Sequence, residues 1–161
     1  MNSLMFPSLR VAYLVAPAAA IELIAQGCIG TGRTMNFPLQ AVLQDFIEHG
    51  HLASHVRACR SVFAERRLAL FEALRTHFPS SFNIGAPAFG LLAQLWLPEG
   101  MSDAEARQAA GKLGGVVATA MSDHALLPTR SGLFLGFAPY EPQAIARAAV
   151  RLSDAIQASR Y

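Results

Sequence analysis

Phe6-Pro7-Ser8-Leu9-Arg10-Val11-Ala12-Tyr13-Leu14-Val15 opens the chain with a breaker, a cation and an apolar run. From Arg10 to Ala16 the residues are mostly β-branched, aromatic or small, and Pro17 stops them, which is the pattern of a buried strand. The same residues also outline a secretory leader, with a short cationic region at Arg10, an apolar stretch from Val11 to Ala20 and small residues. Composition alone leaves both readings open. On the strand reading, Ala18 to Gln26 is a short helix ended by Gly27.

Working outward, Gly27 to Pro38 reads as a glycine-rich loop. Leu39 to His49 reads as a helix, with Leu39, Val42, Leu43, Phe46 and Ile47 on one face and Gly50 as its stop. A longer helical pattern runs from His51 to about His77. Leu52, Val56, Cys59, Phe63, Leu70 and Leu74 lie on its register, and Pro79-Ser80-Ser81 breaks it. Leu91 to Leu97 is a predicted strand. Ser102-Asp103-Ala104-Glu105 has the spacing of a capping box and opens another helix, which Gly114-Gly115 ends. Short strands follow at Val116 to Thr119 and Gly132 to Ala138. Pro142 then starts the last helix at a position where its missing N–H costs nothing. The expected fold class is mixed α/β, without the full alternation of a doubly wound domain.

At 161 residues the chain is long enough for one domain with a sizeable core. Thirteen Lys and Arg stand against 11 Asp and Glu, and no basic run or aromatic-basic stripe offers a nucleic-acid surface. Pro17 and Glu22 interrupt the longest apolar stretch, so no membrane span is expected. Cys28 and Cys59 are too few for a disulfide framework, which favours reduced thiols in the cytoplasm. The hydrophobic share is 53% and the charged share only 15%. That apolar surplus implies surface to be covered by other polypeptide.

Candidate reactive groups are few. His51 and His55 are spaced to share a helix face, but no acidic ligand is well placed and Gly50 separates them from His49, so a polar helix junction is expected rather than a metal site. Gly27-Cys28-Ile29-Gly30-Thr31-Gly32-Arg33 lacks the lysine of a phosphate loop. Ser122-Asp123-His124 has the residue types of a triad, but sequence neighbours seldom reach that geometry, and a loop is expected. Nothing marks either cysteine as a nucleophile. Lys112, the single lysine, reads as a solvated cation at a helix C-terminus.

Four segments together resemble the C-terminal part of the class I/II aminotransferase-like domain of pyridoxal-phosphate proteins, as found in MocR-type regulators of the GntR superfamily. They are Phe6-Pro7-Ser8-Leu9-Arg10 with its strand; Leu39 to Gly50; His55-Val56-Arg57-Ala58-Cys59-Arg60 continuing through Phe63-Ala64-Glu65-Arg66-Arg67; and Gly132-Leu133-Phe134-Leu135-Gly136-Phe137-Ala138 with the terminal helix. The resemblance implies a remnant of the large cofactor-binding domain over residues 1–50, an interdomain helix over 51–78 and a small α/β domain over 79–161. It implies pyridoxal 5'-phosphate as the family's cofactor and Arg10 as the ligand of its phosphate.

It also places Ser3 where the family's Schiff-base lysine stands. A hydroxyl forms no imine, so no catalytic residue is assigned and the cofactor is not expected to be held by this chain alone. Phe134 falls where many aminotransferases carry the arginine that binds the substrate carboxylate. The resemblance thus implies a truncated regulator domain that is catalytically inactive alone. Its family is cytoplasmic and homodimeric, and this chain is expected to have neither direct DNA binding nor a membrane anchor. The alternatives are a fragment of an amino-acid aminotransferase and a free-standing interaction module.

Overall fold

The computed structural model describes residues 14–30, 37–85, 90–127 and 130–159. Ser3 and Arg10 lie outside the described residues, as does the first part of the expected strand; Leu14 to Pro17 are irregular. The chain divides into two units, Met1–Arg60 and Ser61–Tyr161.

In the first unit, α1 covers Ala18–Gly30 and α2 covers Phe37–Glu48. Gly27 does not stop α1 as expected. It keeps helical geometry with open space around its Cα, and the helix continues through Cys28 and Ile29. A glycine inside a helix costs about 1 kcal/mol relative to alanine, too little to end a segment by itself. The expected loop therefore loses its first four residues to α1, and α2 starts earlier than Leu39, with Pro38 in its first turn. Gly50 does act as the stop: its φ of +73° is the left-handed conformation that favours glycine. Nothing in α1 is buried, and α2 buries only Leu43.

The helix α3, His51–His77, spans the range expected for it. Within the second unit its last turns bury Leu70, Phe71, Ala73 and Leu74. These side chains pack on a four-stranded antiparallel sheet made of β1 (Asn83–Gly85), β2 (Leu92–Trp96), β3 (Thr119–Ala120) and β4 (Gly132–Gly136), in the order β1-β2-β4-β3. Alternation along the strands sorts the two faces. The cross-strand row Ile84, Leu95, Leu133 and Ala120 faces the core, together with Ala93 and Leu135. The helices α4 (Asp103–Lys112) and α5 (Pro142–Ala158) complete that core with Ala106, Ala110, Ile145, Leu152 and Ile156.

Local signals are visible in these elements. Ser102 caps α4 by accepting a hydrogen bond from the Glu105 N–H at 3.4 Å. Gly115, at φ +60°, turns the chain after α4, and Pro142 sits in the first turn of α5. The expected strand at Val116 to Thr119 shrinks to Thr119–Ala120, and a 3-10 turn over Met121–His124 follows it. The short strand β1 is not among the expected elements.

Candidate functional site

The face of the sheet turned away from the helices is only half-covered, and several polar and aromatic side chains stand on it. Gly85, Gln94, Phe134 and Thr119 form one cross-strand row; Asn83, Trp96 and Gly132 form the next. Glycine is required at two of these places. A Cβ on Gly85 would stand 2.9 Å from both Gln94 Oε1 and Trp96 Nε1, so the amide and indole lie across bare backbone. A Cβ on Gly132 would stand 2.7 Å from Met121 Sδ. The Arg130 guanidinium lies 5.4 Å from the centre of the Trp96 ring, within cation–π range. The His124 ring is 6.3 Å from that of Phe134. Phe134 itself is half-buried in the middle of β4, between Gln94 and Thr119. The face therefore offers ring surfaces, the amides of Asn83 and Gln94, the Thr119 hydroxyl and one cation.

One end of this sheet is held by a buried carboxylate. Asp103, 4% exposed at the start of α4, accepts hydrogen bonds from Ser122 Oγ at 2.7 Å, Ser122 N–H at 3.0 Å and Gly132 N–H at 3.4 Å. Burial pushes its pKa up, but the Ser122 hydroxyl and the N–H groups of Ser122, Gly132 and Ala104 outweigh it and hold the carboxyl below the usual aspartate value. Beside it, Arg107 pairs with Asp123 at 2.9 Å. Ser122 and Asp123 are thus both committed elsewhere, and Ser122-Asp123-His124 makes no triad. Sequence reasoning reads Asp103 only as part of a capping box. The partners that explain it, Ser122 and Gly132, are distant in sequence and carry no local signal.

The remaining candidates are dispersed. His49 Nδ1 lies 3.2 Å from a carboxylate oxygen of Asp45, the His51 ring is tilted against Phe46 and stacks on His49 with ring centres 6.1 Å apart, and His55 Nε2 is 3.4 Å from Cys59 Sγ. Among the described residues no group of three His, Cys, Asp or Glu side chains could hold a metal ion. Cys28 is exposed and Cys59 half-buried, and neither is in a disulfide. No described helix is long and apolar enough to cross a membrane.

A covalently held pyridoxal phosphate needs a lysine amine beside its binding surface. The chain's single lysine, Lys112, is exposed in the last turn of α4. The side chains with donors on the open face are those of Asn83, Gln94, Trp96, Thr119, His124 and Arg130, none of which forms a stable imine. The described residues do not fit the covalent attachment of that cofactor.

No protein-family model matches the chain. Two curated proteins do. The Probable rhizopine catabolism regulatory protein MocR of Rhizobium meliloti is 27% identical over 139 residues, covering 86% of this chain and 28% of that protein. The Uncharacterized HTH-type transcriptional regulator YhdI of Bacillus subtilis (strain 168) is 31% identical over 110 residues, covering 68% of this chain and 24% of that protein. The chain thus spans about a quarter of the length of these relatives.

Among solved structures, LysN, an alpha-aminoadipate aminotransferase from Thermus thermophilus complexed with N-(5'-phosphopyridoxyl)-L-leucine, superimposes with a TM-score of 0.88 at 23% identity, covering 98% of this chain and 40% of that one. The multiple substrate aminotransferase of Thermococcus profundus gives a TM-score of 0.90 at 21% identity, covering 99% and 40%. The Pyrococcus horikoshii kynurenine aminotransferase, in complex with PMP, gives 0.88 at 22% identity, covering 96% and 38%. The chain has the mixed α/β fold of part of a pyridoxal-phosphate aminotransferase and is related in sequence to MocR-type transcriptional regulators.

Proposed function

We propose that this chain is the C-terminal part of the aminotransferase-like domain of a MocR/GntR-type transcriptional regulator, and that by itself it catalyses no transamination. The observation that carries the reading is the pairing of an aminotransferase fold with a single, exposed lysine on α4. On this reading residues 1–50 belong to the cofactor-binding domain, 51–78 form the interdomain helix and 79–161 the small domain. Arg10 holds a phosphate, and Ser3 stands at the amine's place without its chemistry. The intact regulator is a cytoplasmic homodimer that senses an amine or the cofactor, and this portion does not itself touch DNA.

Phe134 gives the reading its direction. A half-buried phenyl ring at the centre of β4 offers no charge to a substrate carboxylate. That favours a sensing site over the amino-acid aminotransferase alternative, because a phenyl ring at this position makes none of the charge-assisted hydrogen bonds that an arginine there gives a carboxylate.

The test is to mix the purified chain with pyridoxal phosphate and record its visible absorbance, then reduce with borohydride and weigh the protein. The expected result is no saturating imine band and no stoichiometric adduct. A saturating band that Ser3→Ala removes would contradict the proposal.

A further inference from the structure

An apolar groove opens on the second unit, between α5, the end of β4 and the turn that follows α4. It encloses about 290 Å³, near the lower end of the range for small-molecule pockets. Val116, Leu135, Phe137, Ile145 and Leu152 form its walls. Tyr140 and Arg151, both exposed, are the lining residues that carry polar side-chain groups. No carboxylate lines it. The nearby Glu141 is already engaged by Arg66.

The placement of Arg151 is specific. Its guanidinium stands beside Gly115, where a Cβ would lie 4.0 Å from Nη1, an ordinary van der Waals distance. Among the described residues the Arg151 side chain makes no hydrogen bond or ion pair, and neither does that of Arg147 one turn before it. The groove thus combines a hydrocarbon-lined body with a cationic mouth that has no counter-charge.

We propose that this groove binds a small amphipathic monocarboxylate, with its hydrocarbon body against Val116, Phe137 and Leu152 and its carboxylate on Arg151. Charge complementarity selects the head group, and the volume limits the body to a chain or ring of a few carbons. The site uses neither Ser3, Arg10 nor Phe134, so it stands or falls independently of the function proposed above.

Titration of the isotope-labelled full chain with octanoate, and separately with octanol, followed by amide chemical shifts, tests it. Octanoate should give saturable shifts at Gly115, Tyr140 and Leu152. Arg151 is solvent-exposed, so Arg151→Gln should weaken octanoate only about fivefold and leave octanol unchanged. Ala148→Leu fills the groove from α5 and should abolish both; if that variant does not fold, Ala144→Leu narrows the same groove from the preceding turn. The proposal is overturned by any of three results: no saturable octanoate shifts, octanoate binding that is indifferent to Arg151→Gln, or binding that survives the filled groove.

Discussion

Replacing Asp103 tests how the second unit holds its sheet. The carboxylate accepts from Ser122 Oγ at 2.7 Å, Ser122 N–H at 3.0 Å and Gly132 N–H at 3.4 Å, and is 4% exposed. Solvent therefore screens it little. Each well-made hydrogen bond to a charged group contributes about 1.5–3 kcal/mol; the long Gly132 bond contributes least, and neighbouring bonds do not add fully. Asp103→Ala strands two N–H groups and should cost about 3 kcal/mol, while Asp103→Asn keeps one acceptor oxygen and should cost about 1.5 kcal/mol. For a unit of this size the alanine variant should lose roughly 10–20 °C in melting temperature.

The pH dependence follows from the lowered pKa of Asp103. A carboxyl depressed in the folded state adds stability above its unfolded pKa of about 3.9 and loses it as pH falls through the lower folded value. Urea unfolding followed by circular dichroism should thus show a gap between wild type and Asp103→Asn that is full at about pH 7 and closes progressively below about pH 4. An alanine variant within about 0.5 kcal/mol of wild type at neutral pH, or a gap that does not narrow in acid, would refute the reasoning.

Three further substitutions probe separate features. Gly132→Ala drives a Cβ to 2.7 Å from Met121 Sδ and 3.1 Å from the Leu95 carbonyl oxygen, so it should cost about 1–3 kcal/mol; Met121→Ala in the same chain should recover part of that in a double-mutant cycle. Ser153, 2% exposed, donates to the His77 carbonyl at 2.7 Å and accepts from Gln157 at 2.7 Å. Ser153→Ala leaves that carbonyl short of a partner and should cost about 1–2 kcal/mol in chemical denaturation. On the proposed reading Ser3→Lys puts an amine where the family carries its lysine, and it should give only a weak imine band with pyridoxal phosphate; tight, stoichiometric binding would show that the remaining contacts of the cofactor are already present.

The helices were the legible part of this chain. The apolar spacing from Leu52 to Leu74, the Ser102 to Glu105 cap and the Pro142 entry are local signals, and each of them marks a helix in the structure. Punctuation by glycine was less reliable: Gly50 takes a left-handed turn and stops α2, whereas Gly27 stays helical. Both are the same residue type, and only backbone conformation separates them. The sheet was half-legible. Its longer strands β2 and β4 carry runs of apolar residues, while the three-residue β1 forms because Ile84 pairs with Leu95, a contact no local pattern encodes. The open face of the sheet was invisible for the same reason. Gln94, Trp96, Thr119 and Phe134 come together only through strand register, with His124 and Arg130 brought beside them by the flanking turns, and of these the family resemblance singles out Phe134 alone.

The most direct test of the account is a crystal structure of the chain grown in phosphate buffer, with attention to Ser3 and Arg10. The account predicts an aminotransferase-like fold with a phosphate ion on the Arg10 guanidinium and the Ser3 hydroxyl facing the same pocket. Arg10 pointing into solvent, remote from any anion, in a first unit unlike that of an aminotransferase, would contradict it.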